Sequence, residues 1–142
     1  MPRPATKEVD LSKIWLFAPA SSRDLRKLRR SLDEVTAAAG EVLCKEGDTG
    51  HEFFFIVKGT AAVRRKNRRV ARLRGGDYFG ELALLDRRPR SATVVAETDM
   101  ELLVLEQRRF LGLIETTPAL TRKLLAAMAA RLREADKLAF QG

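Results

Sequence analysis

With 142 residues, the chain has the length of one ordinary domain and can bury a hydrophobic core without disulfide bonds. Lysine and arginine outnumber acidic residues by 27 to 19, and the net charge of +8 is compatible with nucleic acid, anionic lipid or a small anion as partner. One cysteine and one histidine exclude an internal disulfide and supply neither a metal site nor the catalytic set of a hydrolase. The apolar stretch 14–17 is too short for a signal peptide or a membrane span, so we expect a cytoplasmic protein without membrane insertion.

The basic residues fall into three groups, at residues 23–30, 64–74 and 87–90. None of these groups has interleaved aromatic residues on which bases could stack. We therefore interpret the first two as solvated faces and do not expect a nucleic-acid partner. The third group can raise the local positive potential and speed the capture of an anion.

In chain order, residues 1–9 are predicted to form a flexible tail, and helices are predicted over residues 10–33. A serine at position 21 or 22 can cap the second of these helices. On that helix Leu25, Leu28 and Leu32 recur at helical spacing. We expect it to end near Asp33.

Residues 34–106 carry strand signals, because short apolar runs alternate with glycines and with the turn pair Lys66-Asn67. This spacing predicts an antiparallel β-roll, which makes the chain an α+β protein that is mainly β. The run 53–57 is apolar on both faces and predicts a central strand. Residues 64–74 are more polar and predict a hairpin that projects to solvent. Cys44 is expected inside a strand as a small apolar residue.

Two helices are predicted over residues 107–138, separated at Thr117-Pro118, with a short tail at 139–142. The apolar stripe of the second helix runs from Leu120 to Leu138, and Arg131 lies only about 20° around the axis from Leu124. Such an arginine either snorkels or stacks its guanidinium on a planar group. The stripe permits dimerisation as well as movement of the helix as a lid, so monomer and homodimer both remain open.

The run FGELALLDRRPRSATVV at residues 79–95 combines groups that suit a phosphate and a hydroxyl. Gly80 allows close approach of the backbone, and the first amides of a helical turn at 81–85 are unpaired and suit an anion. Arg90 can donate two charge-assisted hydrogen bonds to one phosphate. Glu81 would repel an anion and is better suited to accept a bond from a neutral hydroxyl. The alternative is a surface ion pair of Glu81 and Arg90, with Pro89 as a turn former.

The strings FGELALL and PRSATV resemble the phosphate-binding cassette of the cyclic nucleotide-binding domain family. This family includes regulatory subunits of cyclic-AMP-dependent kinase, cyclic-nucleotide-regulated channels and bacterial catabolite-activator-type regulators. The resemblance extends from about Ile14 to about Leu138 and includes EGDTGHEFFFIVKGTAAV before the cassette. It implies one domain over residues 10–138, with a β-roll that contains the cassette at 79–94 and with hinge and lid helices at 107–138.

The resemblance also implies site roles. Glu81 would bond the ribose 2′-hydroxyl, and Arg131 and an apolar wall would contact the base. The residues implied at the phosphate are Arg90, Ser91 and the amides of Gly80, Leu82 and Ala83. Those implied in the apolar wall are Val70, Leu73, Leu82 and Val94.

The resemblance implies a sensor rather than an enzyme, with a cyclic nucleotide as ligand and no metal or other cofactor. Ser91 occupies a position where threonine often accompanies cyclic GMP preference and where bacterial cyclic AMP receptors commonly carry serine. We therefore predict cyclic AMP in preference to cyclic GMP. Bound nucleotide is expected to draw the last helices inward and so signal to an unknown effector protein.

Other functions remain open. The chain can be a regulatory fragment of a longer channel, transcription factor or enzyme, because no output segment follows residue 138 in the sequence. A phosphodiesterase would need metal ligands or an activated nucleophile. A DNA-binding regulator is favoured only by the charge. A degenerate roll that binds no nucleotide and serves as an interaction module is disfavoured by the intact Glu81 and Arg90.

Overall fold

The computed structural model describes residues 9–141, with side chains described through residue 139. Eight strands lie in this part of the chain, and all of their pairings are antiparallel. They are β1 Asp33–Ala37, β2 Val42–Cys44, β3 Glu52–Lys58, β4 Thr60–Arg65, β5 Arg68–Arg74, β6 Tyr78–Phe79, β7 Thr93–Ala96 and β8 Met100–Glu106. One sheet has the order β1-β8-β3-β6 and the other the order β2-β7-β4-β5. The predicted antiparallel roll is confirmed.

The strand β3 is interior to its sheet, as predicted for an apolar run with two buried faces. It pairs with β8 so that Phe53 faces Leu105 and Phe55 faces Leu103 across the ladder. Successive side chains point to opposite faces of a strand. The two strands therefore contribute to two separate hydrophobic clusters, one on each face of the sheet.

The helix-side cluster covers the outer face of this sheet, and the interior cluster fills the space inside the roll. Buried members of the helix-side cluster are Val9, Leu11, Ile14, Leu16, Phe17, Leu28, Leu32, Phe53, Leu84, Leu103, Leu105, Phe110, Leu120 and Leu124. Those of the interior cluster are Ala37, Ile56, Ala61, Val94, Ala96, Met100 and Leu102. Cys44 packs against the interior cluster from β2, as predicted.

The N-terminal segment begins with a 3-10 turn, Leu11–Lys13, and continues to helix α1, Ser22–Arg30. The predicted serine cap is confirmed, because Ser21 Oγ accepts from the amide of Asp24 at 3.1 Å. The predicted helix limit near residue 33 is wrong, since α1 ends at Arg30 and β1 begins at Asp33 to pair with β8. Residues from Asp33 onward pair with β8 instead of continuing the helix, and this ladder satisfies their backbone hydrogen-bonding groups.

Residues 1–8 of the predicted tail lie outside the described residues, and its last residue, Val9, is not in a tail. Val9 is buried in the helix-side cluster, where its carbonyl accepts from Arg29 Nη2 at 3.2 Å. Burial of an apolar side chain against helix α1 orders this position.

Two helices follow the roll, α2 Gln107–Thr116 and α3 Pro118–Gln141. The break falls at Thr117-Pro118 as predicted, since a proline at the first helical position has no amide to satisfy. Helix α3 continues beyond residue 138, so the predicted tail at 139–142 is helical through Gln141, and residue 142 lies outside the described part. Its apolar stripe is buried only near the start. Leu120 and Leu124 are covered, whereas side chains at 130–139 are exposed.

The polar hairpin is confirmed by strands β4 and β5. Its turn residues Lys66 and Asn67 have φ of 52° and 62°, the left-handed values of a two-residue turn that matches the twist of its strands. The pairing steps from Arg64–Arg69 to Val63–Ala71, which makes Val70 the extra residue of a β-bulge.

None of the helices within residues 9–141 has both the length and the apolar composition needed to cross a bilayer.

The turn at Gly59 gives a test of this fold. Gly59 has φ of +102°, and a Cβ there would lie 2.6 Å from the carbonyl oxygen of Asp99. We expect Gly59→Ala to lower the free energy of unfolding by about 2 kcal/mol or more, because backbone strain adds to this contact. Gly112→Ala is the matched control, since no atom lies within 4 Å of its added Cβ and alanine favours the interior of α2. Urea unfolding measures both, and equal stability of the two variants would contradict the assigned turn.

Candidate functional site

The cassette begins where β6 ends. Gly80 has φ of +82°, and it opens a 3-10 turn over Glu81–Leu84, one residue shorter than predicted. The amide of Ala83 donates to the carbonyl of Gly80 at 3.0 Å. The amides of Glu81 and Leu82 come before this bond, and no partner for them is found among the described residues. The amides of Glu81 and Leu82 are therefore free to meet an anion, whereas the amide of Ala83, which was predicted to do so, is already engaged.

The guanidinium of Arg90 is held at a defined position on the wall of the roll. Its Nη2 donates to the carbonyl of Glu52 at 2.8 Å, and its Cζ lies 5.8 Å from the ring centroid of Phe54. Two glycines give it room. A Cβ on Gly50 would be 2.6 Å from Cζ, and a Cβ on Gly80 would be 2.5 Å from Nη1. We call this arrangement of Gly50, Glu52, Phe54 and Gly80 around the arginine the Arg90 cradle.

The backbone of Arg90 is fixed as well. Its amide donates to the carbonyl of Asp48 at 2.7 Å, and its carbonyl accepts from the amide of Gly47 at 2.9 Å. The loop between β2 and β3 therefore holds the arginine from the main chain, while β3 holds its side chain. A charged group fixed in this way loses little conformational freedom when it meets an anion.

The cassette lines a cavity of about 450 Å³, within the range of roughly 300–1,000 Å³ that is typical of small-molecule sites. The predicted phosphate and ribose residues all lie on its wall: Gly80, Glu81, Leu82, Ala83, Arg90 and Ser91. A larger cavity of about 600 Å³ lies beside α2. Its lining mixes three glutamates, Glu52, Glu106 and Glu115, with Arg87 and Arg108, so it offers an anion no excess of positive charge. The cassette cavity is the better candidate because its arginine and free amides converge.

The apolar residues predicted to contact the base do not gather in one cavity as the predicted phosphate and ribose residues do. Val94 is only 3% exposed within the interior cluster, and Leu73 packs against the same cluster. Val70, at the bulge, is 55% exposed. None of these three is among the residues that line the cassette cavity in the described part of the chain.

Glu81 and Arg131 meet through a residue that the sequence did not single out. The indole Nε1 of Trp15 donates to Oε1 of Glu81 at 3.2 Å. The guanidinium of Arg131 lies 4.6 Å from the centroid of the Trp15 ring. In this structure Arg131 therefore stacks on a tryptophan, and stacking on a nucleotide base stays a prediction.

Gln107, the first residue of α2, is a second residue that sequence reasoning missed. Its side chain is buried, and Nε2 donates to the carbonyls of Ala83 at 3.0 Å and Asp86 at 3.1 Å. These bonds join the cassette to the helix that follows the roll. A glutamine at the start of a helix gives no signal of such a contact in the sequence, because its partners are more than twenty residues away.

A family model described as cyclic nucleotide-binding domain matches residues 34–117, which include the whole roll after the first residue of β1 and all of the cassette. The chain belongs to the cyclic nucleotide-binding domain family. The resemblance seen in the cassette is thereby confirmed.

Relatives of this cyclic nucleotide-binding domain carry different names. A cAMP-dependent protein kinase regulatory subunit of Hypocrea atroviridis is 32% identical over 113 residues, which cover 80% of this chain and 24% of the relative. A cGMP-dependent protein kinase of Toxoplasma gondii is 33% identical over 137 residues, which cover 95% of this chain and 13% of the relative. The chain thus spans a quarter or less of these two proteins.

Among solved structures, the N-terminal domain of a transcriptional regulator from Streptomyces coelicolor A3(2) superposes with a TM-score of 0.83. It is 32% identical, and the match covers 89% of this chain and 94% of that one. The likeness therefore extends over nearly the entire domain.

The Cys44 thiol lies close enough to the cassette for the charge of Arg90 to affect its pKa. Burial raises the pKa of the Cys44 thiol, and the positive charge of Arg90 opposes this rise. Its Sγ lies 3.8 Å from the carbonyl oxygen of Ala92. Within residues 9–141, no group of three or more histidine, cysteine or acidic side chains is placed to hold a metal ion.

The thiol gives a test of where Arg90 lies. A raised pKa means that the thiolate forms at a higher pH in the folded domain than in the unfolded chain. We expect the pH midpoint of Cys44 alkylation by iodoacetamide to be higher in buffer than in urea. Arg90→Gln should raise the folded midpoint further, because the stabilising positive charge is lost, whereas Arg26→Gln on α1 should not. An unchanged midpoint in Arg90→Gln would place the guanidinium elsewhere.

Proposed function

We propose that this domain is a sensor that binds 3′,5′-cyclic AMP, in preference to cyclic GMP, in the cassette cavity. The observation that carries the proposal is the Arg90 cradle, which holds a guanidinium at the wall of a cavity beside the unpaired amides of Glu81 and Leu82. A fixed cation and free amides at one cavity wall favour a phosphate group.

Arg90 keeps enough donors for a ligand. A guanidinium has five N–H groups, and the bond to the Glu52 carbonyl uses one of them. Two of the others can meet the exocyclic oxygens of a cyclic phosphodiester, which carries one negative charge. Hydrogen bonds to charged groups contribute about 1.5–3 kcal/mol each, so Arg90 and Glu81 together account for binding in roughly the micromolar range.

Glu81 and Ser91 supply the remaining selectivity of the proposed site. Glu81 is one of the residues that line the cavity, and there its carboxylate would repel a second phosphate charge and accept a bond from the ribose 2′-hydroxyl. Ser91, exposed on the same wall, offers a hydroxyl to a phosphate or to a purine amino group. The named relatives include both a cAMP-dependent and a cGMP-dependent protein, so the preference for cyclic AMP rests on the serine.

We propose a signalling role in the cytoplasm rather than catalysis. The cassette is joined to α2 by Gln107, so a ligand that shifts the turn at Ala83 also acts on the hinge of α3. Nucleotide binding would shift the equilibrium between two arrangements of these helices. The free energy available for this shift equals the difference between the binding free energies of the nucleotide for the two arrangements. The effector that reads this movement is a further protein or a further part of a longer chain.

Calorimetry with three nucleotides tests the proposed function. We expect micromolar binding of cyclic AMP, weaker binding of cyclic GMP, and much weaker binding of 5′-AMP, whose extra negative charge is repelled by Glu81. Absence of heat with either cyclic nucleotide at millimolar excess would reject the sensor and favour a non-binding interaction module.

Replacement of Arg90 tests the phosphate role. We expect Arg90→Ala to weaken cyclic AMP binding by at least about tenfold, since two charge-assisted bonds are lost. The melting temperature of the unliganded domain should change little. Arg87→Ala removes the same charge three residues away, outside the cassette cavity, and should weaken binding by less than about threefold. Equal affinities of the two variants would show that only net charge matters.

A further inference from the structure

The single tryptophan of the chain, Trp15, lies between the cassette and the last helix. We propose that Trp15 is a positioning residue, which fixes the Glu81 carboxylate for the ribose hydroxyl and couples that carboxylate to Arg131 on α3. This inference rests on the proposed function, because it concerns how one residue of the nucleotide site is held.

The indole is well placed to hold another group because its own backbone is anchored. The neighbouring side chains Ile14 and Leu16 are completely buried in the helix-side cluster. The amide of Trp15 lies 3.5 Å from the hydroxyl of Tyr78, and the Tyr78 ring packs 5.9 Å from that of Phe53. Trp15 thus contacts β6 through its main chain and the residue after Gly80 through its side chain. It connects both sides of the glycine at which the cassette turn begins.

The bond from Trp15 leaves Glu81 competent to bind. An ionised carboxylate accepts about four hydrogen bonds through its two oxygens, and the indole N–H uses one position on Oε1. Among the described residues no other hydrogen bond to this carboxylate is found. Oε2 can therefore accept a hydroxyl while Trp15 keeps the side chain in one rotamer. A group that is already ordered binds more tightly, because less side-chain entropy is lost on binding.

Arg131 completes the connection on the other side of the indole. Its guanidinium stands over the ring, while the indole N–H points to a carboxylate. A cation over the face of an indole draws electron density from the ring, which strengthens the N–H as a donor. The side chains at 132–139 are all exposed, so among the described residues this is the most C-terminal point at which α3 shows a ring or hydrogen-bond contact with another element, here the N-terminal segment. A change at Glu81 can thereby reach α3, and the coupling is reciprocal.

The experiment compares two ligands in two proteins. Wild-type chain and Trp15→Phe are titrated by calorimetry with cyclic AMP and with 2′-deoxy cyclic AMP, which lacks the hydroxyl assigned to Glu81. Phenylalanine keeps an aromatic face for Arg131 and removes the N–H donor. We expect Trp15→Phe to weaken cyclic AMP binding about fivefold and 2′-deoxy cyclic AMP binding by less than about twofold.

Several outcomes would overturn the inference while leaving the sensor intact. Equal weakening for both ligands would make Trp15 a merely structural residue. Tighter binding of cyclic AMP by Trp15→Phe would show that the indole competes with the ribose. If the variant changed the affinity for neither ligand, Trp15 would have no role in binding. If the wild-type chain bound the two ligands equally well, Glu81 would not be the partner of the ribose 2′-hydroxyl. Failure of the wild-type chain to bind either ligand would instead reject the proposed function.

A second measurement needs no change at Trp15 and decides the matter if the variant does not fold. Because the chain has one tryptophan, its emission reports this position alone. We expect saturation with cyclic AMP to change the emission clearly and saturation with 2′-deoxy cyclic AMP to change it less. In Arg131→Gln, the difference between the two ligands should shrink by at least about half, because the cation over the ring is lost. Identical emission changes with both ligands in the wild-type chain would contradict the coupling.

Discussion

The burial of β3 and β8 on both faces is the constraint on which the remaining structure depends. Phe53, Leu103 and Leu105 face the helices, whereas Ile56 and Leu102 face the inside of the roll. Each fully buried large side chain contributes about 1.5–3 kcal/mol, so neither face can be left open to water. The N-terminal segment and the last two helices must therefore cover one face, and the second sheet must cover the other. The cassette lies at the junction of these two layers.

This arrangement explains why a charged residue can be held so near the core. The Glu52 carbonyl that accepts from Arg90 belongs to the first residue of β3, and Phe54 under the guanidinium belongs to the same strand. The side chain is thus attached to a strand that is interior to its sheet, although Arg90 itself follows a loop. A cation fixed in this way is preorganised for an anion, because the arginine side chain is already ordered before binding.

The features that local sequence predicted are those formed by neighbours in the chain. The Ser21 cap, the Lys66-Asn67 turn and the break before Pro118 each depend on a few consecutive residues, and all three are found as predicted. The roll itself followed from the alternation of short apolar runs with turns. The cassette residues that share one cavity were predicted from their motif, and the structure places them on one wall.

The features that escaped prediction join distant parts of the chain. Trp15 and Glu81 are separated by 66 positions, and the helical period near Trp15 gives no sign of a polar partner. Gln107 looks like any polar residue at a helix start until the fold brings it under the cassette. The direction of Val70, one of the residues predicted to contact the base, was hard to read for a different reason, because a β-bulge at this residue interrupts the alternation from which strand faces are read.

The uneven cover of α3 has a consequence for its dynamics. Its first turns are secured by Leu120 and Leu124, but the side chains at residues 132–139, beyond the contact of Arg131 with Trp15, are exposed. A helix segment of about eight residues without tertiary contacts is only marginally stable in water. Amide protons near the end of α3 should then exchange with deuterium orders of magnitude faster than those near its start. The C-terminal end of α3 is thus expected to fray, and a partner that binds this end would order it.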